Sequence, residues 1–132
     1  MTPIGRADVD AWLAAFSACV RNRDLGAGRD LFDPDAVGFG TAVDGYDDTD
    51  DLVRRQWSEV WPRTTDFDFD TVKRVWADGT VCTVAATWRS TGVDSDKPRT
   101  RTGRVTIVLR RDDDGRLRAV HTHFSMTPGT TA

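Results

Sequence analysis

Apolar residues recur at Val9, Trp12, Leu13, Phe16, Cys19 and Val20, a spacing of three and four that lays them along one helical stripe, with Asp8 placed to cap its start. A second, shorter helix is expected over Leu25 to Phe32. Gly26 and Gly28 weaken it, and Asp33-Pro34 ends it, because the residue before a proline avoids helical dihedrals. The turn Asp33-Pro34-Asp35 then feeds an extended piece, Ala36 to Thr41. After the acidic stretch Asp44 to Asp51, helical spacing returns at Leu52, Val53, Gln56, Trp57, Val60 and Trp61 and stops at Pro62. Carboxylates ahead of that helix suit its unpaired N–H groups and the positive end of its dipole. They lack the spacing of a calcium loop.

Beyond Thr65 the period becomes two, and four strands are expected: Phe67 to Trp76, Thr80 to Ser90, Thr100 to Arg111 and Arg116 to Met126. Asp78-Gly79 and Asp112 to Gly115 are hairpin connections, whereas Thr91 to Arg99 is a longer loop. Helices followed by a meander of strands give an α+β class: a helical layer on a curved, mostly antiparallel sheet, enclosing a cone-shaped pocket.

At 132 residues, with 39% apolar and 30% charged positions, the chain has the size and composition of one globular domain, its ordered core running from about 6 to 126. A net charge of −3 provides no field for phosphate backbones or anionic lipid, so neither nucleic acid nor membrane is an expected partner. The first residues carry no basic segment followed by an apolar core, and a cytoplasmic location is expected by default. Cys19 and Cys82 are too few for a disulfide framework and fall among apolar neighbours, where thiols stay buried and reduced.

His121 and His123 are the only histidines, and two apart in a strand they share a face. No second His or Cys group lies at ligand spacing, so no metal is expected. A half-buried His can instead move protons near neutral pH, with Asp44, Asp47, Asp66, Asp68 and Asp70 as partner carboxylates by position only. Ser125 has no nucleophile elbow around it and Cys82 no activating base. Arg89, Arg104 and Arg110 alternate with apolar or Thr neighbours, and one pointing inward would need an anion; the commoner fate of Arg is to reach solvent. Of the five tryptophans, Trp57 and Trp61 stand one helical turn apart and would roof an apolar pocket.

These features together resemble the nuclear-transport-factor-2-like superfamily, and within it the SnoaL-like proteins and the association domain of calcium/calmodulin-dependent protein kinase II. The resemblance rests on the first helix, Asp33-Pro34, Gly45-Tyr46-Asp47, Trp57 and Trp61, and Thr64-Thr65. Its sharpest pieces are Pro98-Arg99-Thr100, Arg110-Arg111-Asp112 with Gly115, and Val120 to Ser125. It implies three helices on the curved sheet, a homodimer formed through that sheet, with larger rings in the kinase domain, and no cofactor. It also implies a cavity with several arginines that accepts a small carboxylate: Arg89 matches one, a second falls at Thr106, two residues from Arg104 on the same strand face, and Phe124 replaces a third. The kinase catalytic motifs are absent.

The expectation is a small-molecule pocket lined by Trp57, Trp61, Arg89, Arg104, Thr106, His121, His123 and Phe124, open to a small organic acid. The rival readings are a cofactor-free isomerase or cyclase using His123 as acid or base, in the manner of superfamily enzymes that use a pocket Asp or Asp–His pair, and an oligomerisation module with an idle pocket.

Overall fold

The computed structural model describes residues 2–130. One five-stranded sheet has the order β1-β5-β4-β3-β2, with β1 Phe32–Phe39, β2 Thr64–Asp78, β3 Val81–Gly92, β4 Arg99–Arg111 and β5 Leu117–Met126. Every neighbouring pair is antiparallel except β1 with β5, which run parallel. Register shifts along β2 bend the sheet, as bulges do. The α+β class is therefore observed, and the expected strands all form. The hairpin glycines Gly79 and Gly115 take left-handed φ of 63° and 84°, where a side chain would be strained.

The first helix, α1 (Arg6–Asn22), buries Val9, Trp12, Leu13, Phe16, Cys19 and Val20, the stripe read from the sequence. Asp8 is not its cap. Gly5 takes that position, and Asp8, one turn on, reaches back to accept the Gly5 N–H at 2.9 Å. The second helix, α2 (Leu25–Arg29), is shorter than expected. Its cap is Asp24, which accepts from Ala27 N at 3.1 Å, and the chain is already a strand by Phe32. Pro34 thus lies inside β1 instead of in a turn. It is tolerated because β1 is an edge strand whose pairing with β5 is interrupted between Phe32 and Val37.

The third helical segment begins with α3 (Thr49–Leu52), capped by Asp48, which accepts from Asp51 N at 2.7 Å. It passes through a π-helical turn (Val53–Trp57), the short α4 (Ser58–Val60) and a 3-10 turn (Trp61–Arg63) that contains Pro62. The acidic stretch therefore serves as helix start and surface ion pairs, with Asp50 meeting Arg29 and Arg54, and Asp51 meeting Arg55.

The helices cover one face of the sheet. On that inner face β3 contributes Cys82, Val84, Ala86, Trp88 and Ser90, and β4 contributes Arg101, Gly103, Val105, Ile107 and Leu109, all buried. Each fully buried aliphatic side chain contributes about 1.5–3 kcal/mol relative to exposure. In β5 the parity changes. Leu109 stands opposite Ala119 but Val108 opposite His121, so Val120 is an extra residue in the ladder. That bulge turns Ala119, then Thr122 and Phe124, toward the helices and sends His121 and His123 to the other face. Cys19 and Cys82 are buried free thiols, and burial is the main force pushing both thiol pKa values up. No described helix is long and apolar enough to cross a membrane.

Candidate functional site

Between α1, the third helical segment and the inner sheet face lies a cavity of about 60 Å³. Its wall is mostly apolar, with eight aromatic residues among the nineteen that line it. The Phe16 ring lies 5.4–6.1 Å from those of Trp12, Phe32, Trp57, Trp61, Phe67, Phe69 and Phe124. Trp57 and Trp61, four residues apart, stack at 4.5 Å and both line the cavity. Gly28 permits that stack: a Cβ there would come within 2.9 Å of the Trp61 ring and 3.0 Å of the Trp57 ring. Its place in α2 reflects close approach, since helix propensity alone argues against it.

The polar part of the wall comes from Thr41, Gln56, Thr64, Ser90, Arg101 and Thr122. Ser90 and Arg101 are directly opposed on β3 and β4. Arg101 is 5% exposed. Its Nη2 donates to the Arg63 carbonyl at 3.0 Å and to Thr64 Oγ1 at 2.6 Å, while its buried Nε has no hydrogen-bond partner. Among the described residues no carboxylate lies within ion-pair distance of it: the nearby Asp94 is held by Arg63 at 3.1 Å and Arg99 at 2.7 Å. Burial, helped by the positive charges of Arg99 and Arg63, pulls the Arg101 pKa down, and the Asp94 charge only partly opposes it. Asp94 thus spends its contacts on Arg63 and Arg99 and not on Arg101.

The arginines expected from the sequence stand elsewhere. Arg89 is 54% exposed on the outer face and 3.7 Å from Asp70. Arg104 is exposed and donates to Ser125 Oγ at 3.2 Å; Arg110 pairs with Asp33 at 2.9 Å; Thr106 is exposed. His123 is exposed against the Phe39 ring at 5.0 Å, and His121 donates through Nδ1 to the Val37 carbonyl at 2.9 Å. None of Arg89, Arg104, Thr106, His121 and His123 lines the cavity, whereas Trp57, Trp61 and Phe124 do. The reason is strand parity: residues 89, 104 and 106 alternate with the buried set, and the bulge at Val120 puts the histidines outside. Arg101 carries a usable signal, being in phase with Val105, Ile107 and Leu109. Ser90 is likewise in phase with Val84 and Trp88.

Among the described residues the cavity wall holds no His, Asp or Glu; its polar groups are a fixed cation, an amide and hydroxyls.

The sequence matches the SnoaL-like domain over residues 9–128. The chain belongs to the SnoaL-like domain family. A comparison with curated protein sequences gives no match. Among solved structures, this SnoaL-like domain is similar to a nuclear transport factor 2-like superfamily protein from Salmonella enterica, with 17% identity, 96% and 92% of the two chains covered and a TM-score of 0.82. A ketosteroid isomerase-like protein from Erwinia carotovora shares 16% identity over 92% and 96% of the chains, at a TM-score of 0.79. A candidate calcium/calmodulin-dependent protein kinase II association domain from Xanthomonas campestris shares 20% identity over 94% and 86%, at 0.75. Identities this low carry the fold across but not a function.

Proposed function

We propose that this SnoaL-like domain binds a small organic acid, apolar apart from its carboxylate, in the internal cavity, with Arg101 as the charge partner. The observation that carries the reading is the buried guanidinium whose Nε lacks a partner, beside an aromatic chamber. Buried charges are paired in native proteins because an uncompensated one costs several kcal/mol. A carboxylate would restore the balance, and Ser90 opposite Arg101 supplies a hydroxyl for its second oxygen.

Thermal unfolding with formate, acetate and propionate, acids small enough for a cavity of about 60 Å³, each against its neutral amide, tests this reading. The acids should raise the melting temperature, the amides should not, and Arg101→Met should erase the difference. Equal shifts from acid and amide, or no shift from any acid, would overturn it.

Acid–base catalysis by a pocket histidine has no geometric support, since His123 points away from the cavity and no carboxylate lines it. The ketosteroid isomerase-like neighbour shares the fold without supplying that base. For assembly, we propose a homodimer through the outer sheet face, the arrangement that the family resemblance implies, with Trp76 of β2 53% exposed on it. Light scattering should return twice the mass of the chain; a monomer at micromolar concentration would remove the proposal.

A further inference from the structure

We infer that the segment 40–45 is the door of this cavity and that Gln56 is its latch. The inference rests on reading the cavity as a ligand site and adds how that site is reached.

The segment leaves β1 at Phe39 and has no regular structure before Tyr46. Its base is closed by the paired backbone of Gly38 and Tyr46, with N–H to carbonyl distances of 3.2 and 2.9 Å, and by Arg55 donating to the Gly45 carbonyl at 3.1 Å. Its tip is held by one side chain. Gln56 Oε1 accepts from Ala42 N at 2.8 Å, and Gln56 Nε2 donates to Thr41 Oγ1 at 2.9 Å. Both functions of a single amide are spent on this loop. The fit is close, because a Cβ on Gly40 would fall 2.7 Å from Gln56 Oε1.

Position gives the contact its meaning. Phe39, Gly40 and Thr41 belong to the wall of the internal cavity and also to that of an open surface groove of about 400 Å³ that continues over Val43, Asp44 and His123. Phe124 and Met126 of β5 belong to both walls as well, so the loop is the movable side of the rim between chamber and groove and the end of β5 is its fixed side. Gln56, 8% exposed, reaches it from the π-helical turn Val53–Trp57, the turn that also presents Trp57 to the cavity. π-Turns inside α-helices are uncommon and recur at functional sites. Here the wider turn sets a latch and a ligand-facing ring side by side. Releasing two hydrogen bonds at the tip, with the base still paired, opens a path from groove to chamber without disturbing the sheet.

The test uses the full chain carrying Trp76→Phe, which removes the exposed indole so that tryptophan fluorescence reports the buried ones. Gln56→Ala and the milder Thr41→Val, which deletes one of the two bonds, are compared with this parent. Amide exchange over residues 40–46 should rise roughly tenfold in Gln56→Ala, the factor expected for losing about two net hydrogen bonds, and less in Thr41→Val. Acrylamide quenching of the buried tryptophans should rise with it. Propionate association and dissociation rates should both increase, as for a kinetic gate. Unchanged exchange in Gln56→Ala would show that Gln56 is no latch. Faster exchange with unchanged quenching would show that the loop is no door. Acrylamide is neutral and needs no cation to enter, so exchange and quenching decide the door even if propionate fails to bind the parent, a result that would strike the organic-acid reading alone.

Discussion

Replacing Arg101 by Met should leave the ligand-free protein as stable as the parent or more so, while removing its response to acids. The guanidinium makes two charge-assisted hydrogen bonds, to the Arg63 carbonyl and Thr64 Oγ1. Bonds to charged groups contribute about 1.5–3 kcal/mol each, so their loss alone would cost roughly 3–6 kcal/mol. Against this stands the burial of a cation with no carboxylate in ion-pair distance among the described residues, an effective penalty of several kcal/mol that Met does not incur. Neither acceptor is orphaned by the change: the Arg63 carbonyl still accepts from Val93 N at 2.9 Å, and the Thr64 hydroxyl still donates to the Val60 carbonyl at 2.7 Å. Methionine fills much of the stem volume in an aromatic setting that suits its sulfur. The terms nearly cancel, and the expected change lies between about zero and 2 kcal/mol of added stability, a rise in Tm of several degrees at most. Urea unfolding followed by tryptophan fluorescence, with equal m-values for the two proteins, measures it directly. A loss greater than about 2 kcal/mol would refute the reasoning, because Arg101 would then be a structural tie between β4 and the start of β2 instead of a cation held in readiness.

Gly103→Ala should destabilise by about 1–3 kcal/mol or more, since a Cβ there would collide with the Trp88 ring and the Ser125 carbonyl; calorimetry showing less than about 0.5 kcal/mol would contradict that packing. Tyr46→Phe should cost about 1–3 kcal/mol, because the hydroxyl that accepts from Thr122 N at 3.1 Å and bonds Thr122 Oγ1 at 2.8 Å is lost and the buried N–H is left unpaired. Burial raises the Tyr46 pKa above its ordinary 10.0, so the unfolded chain loses this proton first. Stability should fall as pH rises past 10, and part of that fall should vanish in Tyr46→Phe. On the acid side the Gly5 N–H, with the Arg111 charge in support, holds the Asp8 carboxyl below its ordinary 3.8. Its contribution should be present at neutral pH and be lost as pH drops below about 4, and Asp8→Asn should flatten that limb of an acid titration.

Much of the framework is legible in the sequence because its causes are local. The stripe from Val9 to Val20 and the period-two run after Thr65 each demand one conformation to bury their apolar members. Pro34 shows the limit of that logic. A local rule makes it a turn, but an edge strand with interrupted pairing accommodates it, and edges exist only once strand order is known. The site is less legible. Trp57 and Trp61 can be placed because helical spacing fixes their neighbours, whereas for Arg89, Arg104, Thr106 and the histidines the alternation along a strand carries no means of telling the inner face from the outer.

The sequence by itself determined which side chains share a face and where helices and strands lie, because side-chain periodicity follows from backbone geometry alone. Only the tertiary structure decided which face looks inward, since that depends on where the helices pack and on one inserted residue, Val120, that reverses parity halfway along β5. It alone also left Arg101 buried with its Nε unpaired and, among the described residues, no carboxylate in ion-pair distance. A missing partner is a fact about everything that surrounds a charge, and no stretch of chain records it.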